Sequence, residues 1–404
     1  MTHSGSVIWA RETRGSAVID FEPTSEQTAL IDNVRRFVRE EIAPLEADLD
    51  PDAASLRPDD FARLRQKAKD LGLYGMDTPA EYGGPGLDVM TRTLLAIEMS
   101  QHRAGLYASC YGVFGGAGLA QMYEASDDQK ERYLYPSLRG EKHGFFGLSE
   151  PSGGSDPARA IRTKAVRDGD DWVINGSKLW ISGADDADFG IVFARTGEGR
   201  AGITAFIVDA DTPGFQVRRV VHTLRSAHYA TELSFDNMRI PDRNRLGEEG
   251  NGFAIANGRL SAQRIPYSAQ CVGVAIAAHR LAVEYAKIRE TFGQVLASRQ
   301  AIQWMLVDNE FDIRGSRLLV LEAAAKADRG EEFRTEAAVA KVAATEAAGR
   351  VVDRAIQIHG GLGVSKELPL ERWYRELRIR RIGEGPTEVQ KVIIARDLLG
   401  KVAG

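Results

Sequence analysis

The sequence is poor in cysteine. Its 404 residues include only Cys110 and Cys271, and both stand among small or apolar neighbours. Two cysteines cannot make a disulfide framework, so we expect two buried free thiols in a reducing compartment. The sequence also lacks any cysteine and histidine spacing typical of a metal site.

Long apolar runs and a strong excess of one charge are also lacking. No segment approaches the roughly 20 apolar residues of a membrane-spanning helix. The net charge of −5 gives no electrostatic reason to bind nucleic acid or an anionic membrane. Residues 1–20 carry charges of both signs and no apolar core, so we expect a flexible tail rather than a secretory signal. These absences favour a cytoplasmic protein with neither nucleic acid nor membrane as a partner.

The first third of the chain has helical periodicity. Thr24 and Gln27 have the spacing of a capping box at the start of a helix, and Pro44 is expected to end or bend that helix. Further helices are predicted over residues 61–71, 91–101 and 112–123. The composition, 43% hydrophobic and 27% charged, is that of an ordinary globular protein, and the length allows two or three domains.

The pattern changes near residue 145. Short β-branched and aromatic runs follow at 172–176, 189–193, 203–208 and 231–235, separated by turn residues as in a small barrel or sandwich. After residue 250 the helical period returns, and long helices are predicted over 253–289, 299–327, 335–359 and 387–399. We predict an α+β multidomain chain with domains at 21–144, 145–250 and 251–404.

Five motifs follow one another along the chain. The first is a loop rich in glycine, serine and proline at 147–156, which can bring backbone N–H groups and small hydroxyls against a flat polar ligand. It precedes Lys-Leu-Trp-Ile-Ser at 178–182, Arg-Glu-Thr-Phe-Gly at 289–293, Gln-Ile-His-Gly-Gly at 357–361 and Gly-Glu-Gly at 383–385. In this order and at these separations the set resembles the acyl-CoA dehydrogenase family of flavoproteins, from about residue 21 to the C-terminus.

This resemblance implies a three-part fold and a cofactor. The expected fold is an N-terminal α-helical domain, a middle β-barrel and a C-terminal four-helix bundle. The expected cofactor is FAD, held partly across the interface of a homotetramer or homodimer. The residues expected to contact FAD are Phe146, Leu148, Ser149, Gly154, Ser155, Trp180, Ser182, Arg289, Phe292, Arg299, Gln300, Gln357, Gly360, Gly361, Thr387 and Glu388.

The resemblance also identifies a catalytic base. Glu384 lies between two glycines and would, on sequence alone, be a solvated loop carboxylate, but it occupies the position of the family's catalytic glutamate. It would remove the α-proton of an acyl-CoA thioester while the β-hydrogen leaves as a hydride to flavin N5. Some members place the base on the helix after the barrel, where this chain has Gln263, whose amide cannot act as a base.

Substrate contacts are inferred from the same resemblance. They are expected at Ser155, Ser261, Arg264, Tyr111, Gly383 and Gly385, with Tyr107, Cys110 and Phe114 also lining the distal cavity. Gly383 stands where many relatives have a bulkier residue, and we expect it to open space for a branched or cyclic acyl group. Pro386 removes a hydroxyl that Thr387 or Glu388 would replace, and Ser261 stands where many members have aspartate.

Simpler interpretations exist for several of these residues. Trp180 could be an ordinary core tryptophan of the barrel, and Arg289 with Gly293 could end a helix. Five arginines near the C-terminus are interpreted as a solvated or interfacial charged face, namely Arg372, Arg375, Arg378, Arg380 and Arg381.

The predicted reaction is FAD-dependent α,β-dehydrogenation of an acyl-CoA to the 2-enoyl-CoA, with electrons passing to an electron-transfer flavoprotein. One alternative is a flavin oxidase or monooxygenase of the same fold that hands its electrons to O₂. Relatives that oxidise nitroalkanes have aspartate at the position of Glu384, which argues against that version. Another alternative is a non-catalytic acyl-CoA-binding subunit, which we would expect to have lost the base or the FAD contacts.

Overall fold

The structure is a computed structural model, and it describes residues 21–116, 118–226, 229–258 and 260–400. The tail predicted at 1–20 lies outside the described residues. Helices come first, then a sheet, then long helices. The N-terminal helices are α1 Ser25–Phe37, α2 Ala43–Glu46, α3 Pro58–Asp70, α4 Val89–Met99, α5 Asp127–Gln129 and α6 Tyr135–Arg139.

The start of α1 confirms the capping box. The Thr24 hydroxyl accepts from the Gln27 N–H at 3.2 Å, and the Gln27 side chain accepts from the Thr24 N–H at 3.0 Å. A π-helical turn then leads into α2, and Pro44 lies in the first turn of α2, where the missing N–H is harmless. The helix predicted over 112–123 is wrong. Gly112, Gly115 and Gly118 have positive φ there, and the described residues of this stretch form short 3₁₀ turns instead of an α-helix.

The sheet has eight strands. The ladder runs β6-β7-β3-β2-β4-β5-β8, and β1 pairs with β4. Phe145 of β1 stacks on Phe215 of β6 with ring centroids 5.7 Å apart, although the ladder separates these strands. The sheet therefore curves around one apolar core in the manner of a barrel. Its strands are β1 Gly144–Gly147, β2 Lys164–Asp168, β3 Asp171–Ser182, β4 Phe189–Arg195, β5 Ile203–Asp209, β6 Phe215–Val221, β7 Ala230–Pro241 and β8 Arg245–Leu246.

The C-terminal part is a helical bundle with an alanine-rich core. A short helix, α7 Pro157–Ala160, lies in the sheet region, and a two-stranded hairpin, β9 Glu290–Thr291 and β10 Gln294–Val295, follows α9. Alanines of α9 and α11 are fully buried against one another, which allows close helix packing. The helices are α8 Gly252–Gly258, α9 Leu260–Ile288, α10 Gln300–Asp328, α11 Arg334–His359, α12 Leu370–Arg380 and α13 Thr387–Leu399.

The charged-face interpretation of the C-terminal arginines is wrong for two of them. Arg372 and Arg380 are each only 2% exposed, on the face of α12 that packs inward. Arg372 pairs with Glu376 at 3.1 Å, one helical turn away. Arg380 is sandwiched between two tyrosine rings, which provide cation–π contacts that a sequence pattern does not reveal.

The predicted fold class is confirmed, whereas domain boundaries at 144 and 250 stay predictions. Both cysteines are free and buried, as expected. Among the helices of the described residues, none combines the length and the apolar composition that crossing a membrane would require.

Candidate active site

The glycine- and serine-rich loop is fastened by a buried ion pair. Glu150 accepts hydrogen bonds from the backbone N–H groups of Arg162 and Thr163 at 2.6 and 3.1 Å, and from Lys178 Nζ at 2.8 Å. Lys178 also donates to the carbonyl oxygens of Leu148 and Phe193. Burial lowers the pKa of Lys178 to about 8, but the charge of Glu150 opposes that shift. This network fixes the loop against β3.

Trp180 is turned out of the sheet by a bulge. The register of β3 against β7 shifts between Leu179 and Ile181, and Trp180 takes a φ of 67°. Positive φ is rare for a bulky residue and marks a position that the surrounding structure must hold. Its side chain is 57% exposed, so Trp180 is not the ordinary core tryptophan of the alternative interpretation. The N–H of Leu179 donates to the carbonyl of Ser149, which brings the indole beside the loop.

A cleft of about 430 Å³ opens at the tip of the loop. Gly154 and Ser155 line it and are exposed, and Arg159 and Arg162 contribute guanidinium groups. Phe146 lies behind the loop, packed on Phe193. Asp156 also lines the cleft and pairs with Arg159 at 3.7 Å. Two guanidinium groups against one carboxylate leave a net positive charge, which suits a phosphorylated ligand.

The backbone at Glu384 has an unusual conformation. Glu384 and Gly385 both have positive φ, 54° and 86°, and the Glu384 side chain is exposed. Gln390 Nε2 donates to the carbonyls of both residues, at 3.3 and 3.0 Å. Lys341 Nζ donates to the carbonyls of Arg381 and Gly385, at 3.2 and 2.9 Å. These hydrogen bonds from Gln390 and Lys341 fix the backbone of the loop that carries the Glu384 carboxylate.

Two buried cations lie under this loop. Burial lowers the pKa of Lys341 to about 8. Arg264 is only 5% exposed, and burial lowers its pKa while the charge of Glu384 opposes that shift. The Nε of Arg264 has no hydrogen-bond partner among the described residues. The structure therefore places Arg264 beside the Glu384 loop.

The space expected beside Gly383 is filled. A Cβ atom built on Gly383 would lie 2.7 Å from the hydroxyl oxygen of Tyr267. Tyr267 comes from α9, so the sequence around Gly383 gives no sign of it. The expectation of open space at this position is wrong, and the branched or cyclic acyl group loses its structural argument.

Two further residues already have polar partners. The Tyr111 hydroxyl donates to Glu46 at 2.7 Å, and its ring belongs to the N-terminal core together with Cys110 and Phe114. The Thr387 hydroxyl donates to Glu346 at 3.3 Å, whereas Glu388 is exposed. The protons of both hydroxyls are engaged, so Tyr111 and Thr387 can only accept a hydrogen bond from a ligand.

The remaining expected FAD residues lie at one end of the bundle. Phe292 and Gly293 both have positive φ and form the two-residue turn between β9 and β10, so Gly293 does not end the helix before it. Phe292 is 98% exposed. Arg299 donates to the carbonyl of Thr291 and supports this hairpin, while Arg289 and Gln300 are exposed beside it.

The end of α11 meets the end of α9. Tyr285 of α9 stacks on His359 of α11 with centroids 4.4 Å apart. Gln357, Gly360 and Gly361 are exposed at this end of α11, and Arg289 is exposed just after α9. Within one chain the glycine-rich loop and this end of the bundle belong to different parts of the fold.

Several functional candidates were missed by the sequence analysis. Lys341 holds the Glu384 loop, and the Glu150–Lys178 pair holds the glycine- and serine-rich loop. Tyr267 lies beside Gly383, and Arg380 contacts the Tyr267 ring. A lone lysine in an alanine-rich stretch of α11 was a usable signal for Lys341, because such a helix face is normally buried. Nothing local distinguishes Tyr267 or Arg380.

Known domain families match three consecutive parts of the chain. Residues 24–141 match the N-terminal domain of acyl-CoA dehydrogenases, 145–238 the middle domain and 250–399 the C-terminal domain. The chain belongs to the acyl-CoA dehydrogenase family. The family resemblance seen in the sequence is confirmed.

Similar acyl-CoA dehydrogenases match over nearly their whole length. The acyl-CoA dehydrogenase of Bacillus subtilis (strain 168) is 38% identical over 93% of this chain and 99% of its own. The mitochondrial short-chain specific acyl-CoA dehydrogenase of Rattus norvegicus is 39% identical over 90% of this chain and 88% of its own. The protein is therefore an oxidoreductase of the acyl-CoA dehydrogenase type.

Solved acyl-CoA dehydrogenase structures agree with the fold. Butyryl-CoA dehydrogenase of Megasphaera elsdenii superposes with a TM-score of 0.83 at 35% identity, covering 94% of this chain and 100% of that one. The FAD complex of PigA gives a TM-score of 0.84 at 26% identity, covering 94% and 99%. FAD is the cofactor, and the exposed indole of Trp180 beside a loop of small polar residues fits a planar ring.

Proposed function

We propose that Glu384 removes the α-proton of an acyl-CoA thioester, so that the product is the 2-enoyl-CoA. The backbone of Glu384 supports this role most strongly. A non-glycine residue with a φ of 54° is strained, and such strain persists only where neighbouring groups fix the conformation. Gln390 and Lys341 do so here, and a solvated loop carboxylate would need no such support.

The surroundings of Glu384 suit proton abstraction. Arg264, buried beside the loop, places a guanidinium group near the side where the substrate would bind. The backbone N–H of Glu384 would donate to the thioester oxygen as negative charge develops there. One such donor is typically worth about 10²–10³-fold in rate.

The glycine-rich loop and the bulge in β3 would hold the cofactor. Bound FAD supplies the acceptor for the hydride that leaves the β-carbon. We assign the flat contact to Trp180 and polar contacts to Leu148 and Ser149, whose backbone is fixed against β3. Ser182 already accepts a hydrogen bond from Arg225 at 3.0 Å, so it can still donate its own proton to the cofactor.

The cleft at Gly154 and Ser155 would admit the coenzyme A part of the substrate. Arg159 and Arg162 give this cleft the positive charge that phosphate groups need. Ser261 is half-buried at the start of α9, and we propose that it contacts the pantetheine part of coenzyme A.

We also propose that the protein forms a homotetramer or a homodimer. Trp304, Val307, Phe311 and Leu318 lie on one face of α10 and are 61%, 50%, 74% and 44% exposed. An apolar stripe of this size is typical of a subunit interface. Arg289, Phe292, Arg299, Gln300, Gln357, Gly360 and Gly361 would then reach the FAD of a second copy.

An electron-transfer flavoprotein remains the proposed electron acceptor, and the cytoplasm the proposed location. The electron acceptor follows from the family resemblance, and the location from the composition of the sequence. The intact base and loop argue against a non-catalytic acyl-CoA-binding subunit. An oxidase or monooxygenase would differ in reacting rapidly with O₂ once reduced.

Replacement of the base tests the reaction. Glu384→Gln should bind FAD and acyl-CoA normally, because the amide has the same shape, yet bleach the flavin about 10²–10⁴-fold more slowly under anaerobic conditions. Stopped-flow absorbance with a panel of acyl-CoAs measures this. The matched control is Asp397→Asn, an exposed carboxylate on α13, which should react like the unmodified protein. Normal bleaching by Glu384→Gln would disprove the assignment.

A further inference from the structure

Four side chains form an alternating stack between the two halves of the proposed site. The Arg225 guanidinium lies 3.8 Å from the centroid of the Tyr107 ring. Arg380 lies 4.3 Å from the same ring and 4.0 Å from the ring of Tyr267. We call Arg225, Tyr107, Arg380 and Tyr267 the arginine–tyrosine stack. The helical domain, the sheet and the bundle each contribute to it.

Each end of the stack lies next to a part of the proposed site. At one end, Arg225 Nη1 donates to Ser182, two residues after Trp180. At the other end, the Tyr267 hydroxyl occupies the space beside Gly383, next to Glu384. The stack therefore lies between the residues assigned to the flavin and the residue assigned to proton abstraction. The acyl group of a substrate must be accommodated in the same region.

The stack has an excess of buried positive charge. Arg380 is 2% exposed, and its one hydrogen-bond partner among the described residues is the neutral amide of Gln270, at 2.9 Å. One buried carboxylate, Glu376, interacts electrostatically with Arg380, Arg225 and Arg372, and its hydrogen bond goes to Arg372. Three guanidinium groups that share one carboxylate leave positive charge uncompensated, which costs free energy where the groups are buried.

Several polar atoms of the stack are also unengaged. The Nε atoms of Arg225 and Arg380 and the hydroxyl of Tyr107 are buried and have no hydrogen-bond partner among the described residues. Burial raises the pKa values of Tyr107 and Tyr267, so both hydroxyls stay protonated and can donate. Glu376 Oε2 is a buried acceptor that also has no hydrogen-bond partner among the described residues, so the unengaged donors outnumber it.

An anionic acceptor completes this arrangement. We propose that the substrate is an acyl-CoA whose acyl group ends in a carboxylate, which Arg380 binds with help from Tyr107 and Arg225. One tyrosine ring separates Arg380 from Gly383, so the carboxylate would be only a few carbon atoms from the thioester. This inference rests on the proposed function, because it names the substrate class of the same site.

The experiment compares matched thioesters. Redox-inert thioether analogues of butyryl-CoA and glutaryl-CoA, which differ by the terminal carboxylate, are titrated calorimetrically into the FAD-loaded protein and into Arg380→Met. We expect the unmodified protein to prefer the carboxylated analogue, and Arg380→Met to weaken its binding about 10- to 100-fold, as loss of a charged hydrogen bond does. Binding of the plain analogue should change less than about 3-fold. Arg378→Met, an exposed arginine on the same helix, should change neither.

Three results would overturn the inference. If Arg380→Met weakens both analogues equally, or if the unmodified protein prefers the plain one, Arg380 only supports the fold. If coenzyme A without an acyl group loses affinity to the same extent, Arg380 binds a phosphate of the coenzyme.

Failure of the proposed function looks different. Anaerobic bleaching by plain acyl-CoAs without preference for the carboxylated ones would leave the dehydrogenase reaction intact and reject the substrate class. A protein whose flavin is bleached by no thioester would reject the reaction itself.

Discussion

Glu46 and Arg380 are both buried charged side chains, yet their surroundings differ. The carboxylate of Glu46 accepts hydrogen bonds from His102, from the Tyr111 hydroxyl and from the backbone N–H groups of Arg103 and Ala104, all between 2.7 and 3.2 Å. Arg380 has one amide oxygen and two aromatic rings. We call the first arrangement the Glu46 network.

The difference separates a structural role from a binding role. A buried polar group whose hydrogen bonds are all made fixes one conformation and needs nothing further. Tyr111 and Cys110, both with positive φ, lie in the turn that the Glu46 network holds. A buried group left without acceptors is costly in the free protein and is retained where a ligand completes it. The Glu150–Lys178 pair belongs to the first class.

The largest expected effect is at Lys178. Lys178→Met should destabilise the protein by about 3–5 kcal/mol, because it leaves the buried Glu150 carboxylate without its cation. It should also release FAD, since the glycine-rich loop loses its attachment to β3. Urea unfolding and the ratio of flavin to protein absorbance measure the two effects. Glu150→Gln combined with Lys178→Met should recover part of the stability, and no recovery would contradict the ion-pair explanation.

A smaller effect is expected at Glu46. Burial raises the pKa of Glu46, but His102, Tyr111 and the Arg103 N–H outweigh burial and lower it to about 2, from an ordinary value of 4.5. The group therefore stabilises the fold fully above pH 4.5, and the stabilisation is lost as the pH falls toward 2. Glu46→Gln should cost about 3 kcal/mol at pH 7.

This pH dependence can be measured directly. The difference in urea midpoint between Glu46→Gln and the unmodified protein should shrink as the pH falls below 4.5. The exposed Glu26→Gln on α1 is the control and should show no such trend. A difference that stays constant down to the acid limit would mean that ionisation of Glu46 does not stabilise the fold.

The smallest expected effect is at Arg380 without substrate. Arg380→Met should change the free energy of unfolding by no more than about 1 kcal/mol, because relief of the buried charge offsets the lost cation–π contacts. Urea unfolding of the FAD-loaded protein tests this. If Arg380→Met lowers the free energy of unfolding as much as Glu46→Gln does, Arg380 has a structural role like that of Glu46. The difference between the two buried charges would then disappear.

Several elements of this fold could be predicted because they depend on residues close together in the sequence. The Thr24 capping box, the strand runs and the long helices of the bundle depend on neighbouring residues and on periodicity. Residues 112–123 misled the prediction, because glycines with positive φ break a pattern whose apolar spacing is helical. Trp180 was open to two interpretations, and only the bulge between β3 and β7 decided that its ring faces outward.

By itself the sequence determined the family, the order of helices and strands, the cofactor and the glutamate proposed as base. Each of these depends on short motifs or on periodicity among residues that are close together in the sequence. Tertiary structure alone decided which buried charges are paired. Tyr107, Arg225, Tyr267 and Arg380 are distant in sequence and meet only when the three parts pack together. Burial and pairing are properties of the surroundings of a side chain, and those surroundings come from residues far away along the chain.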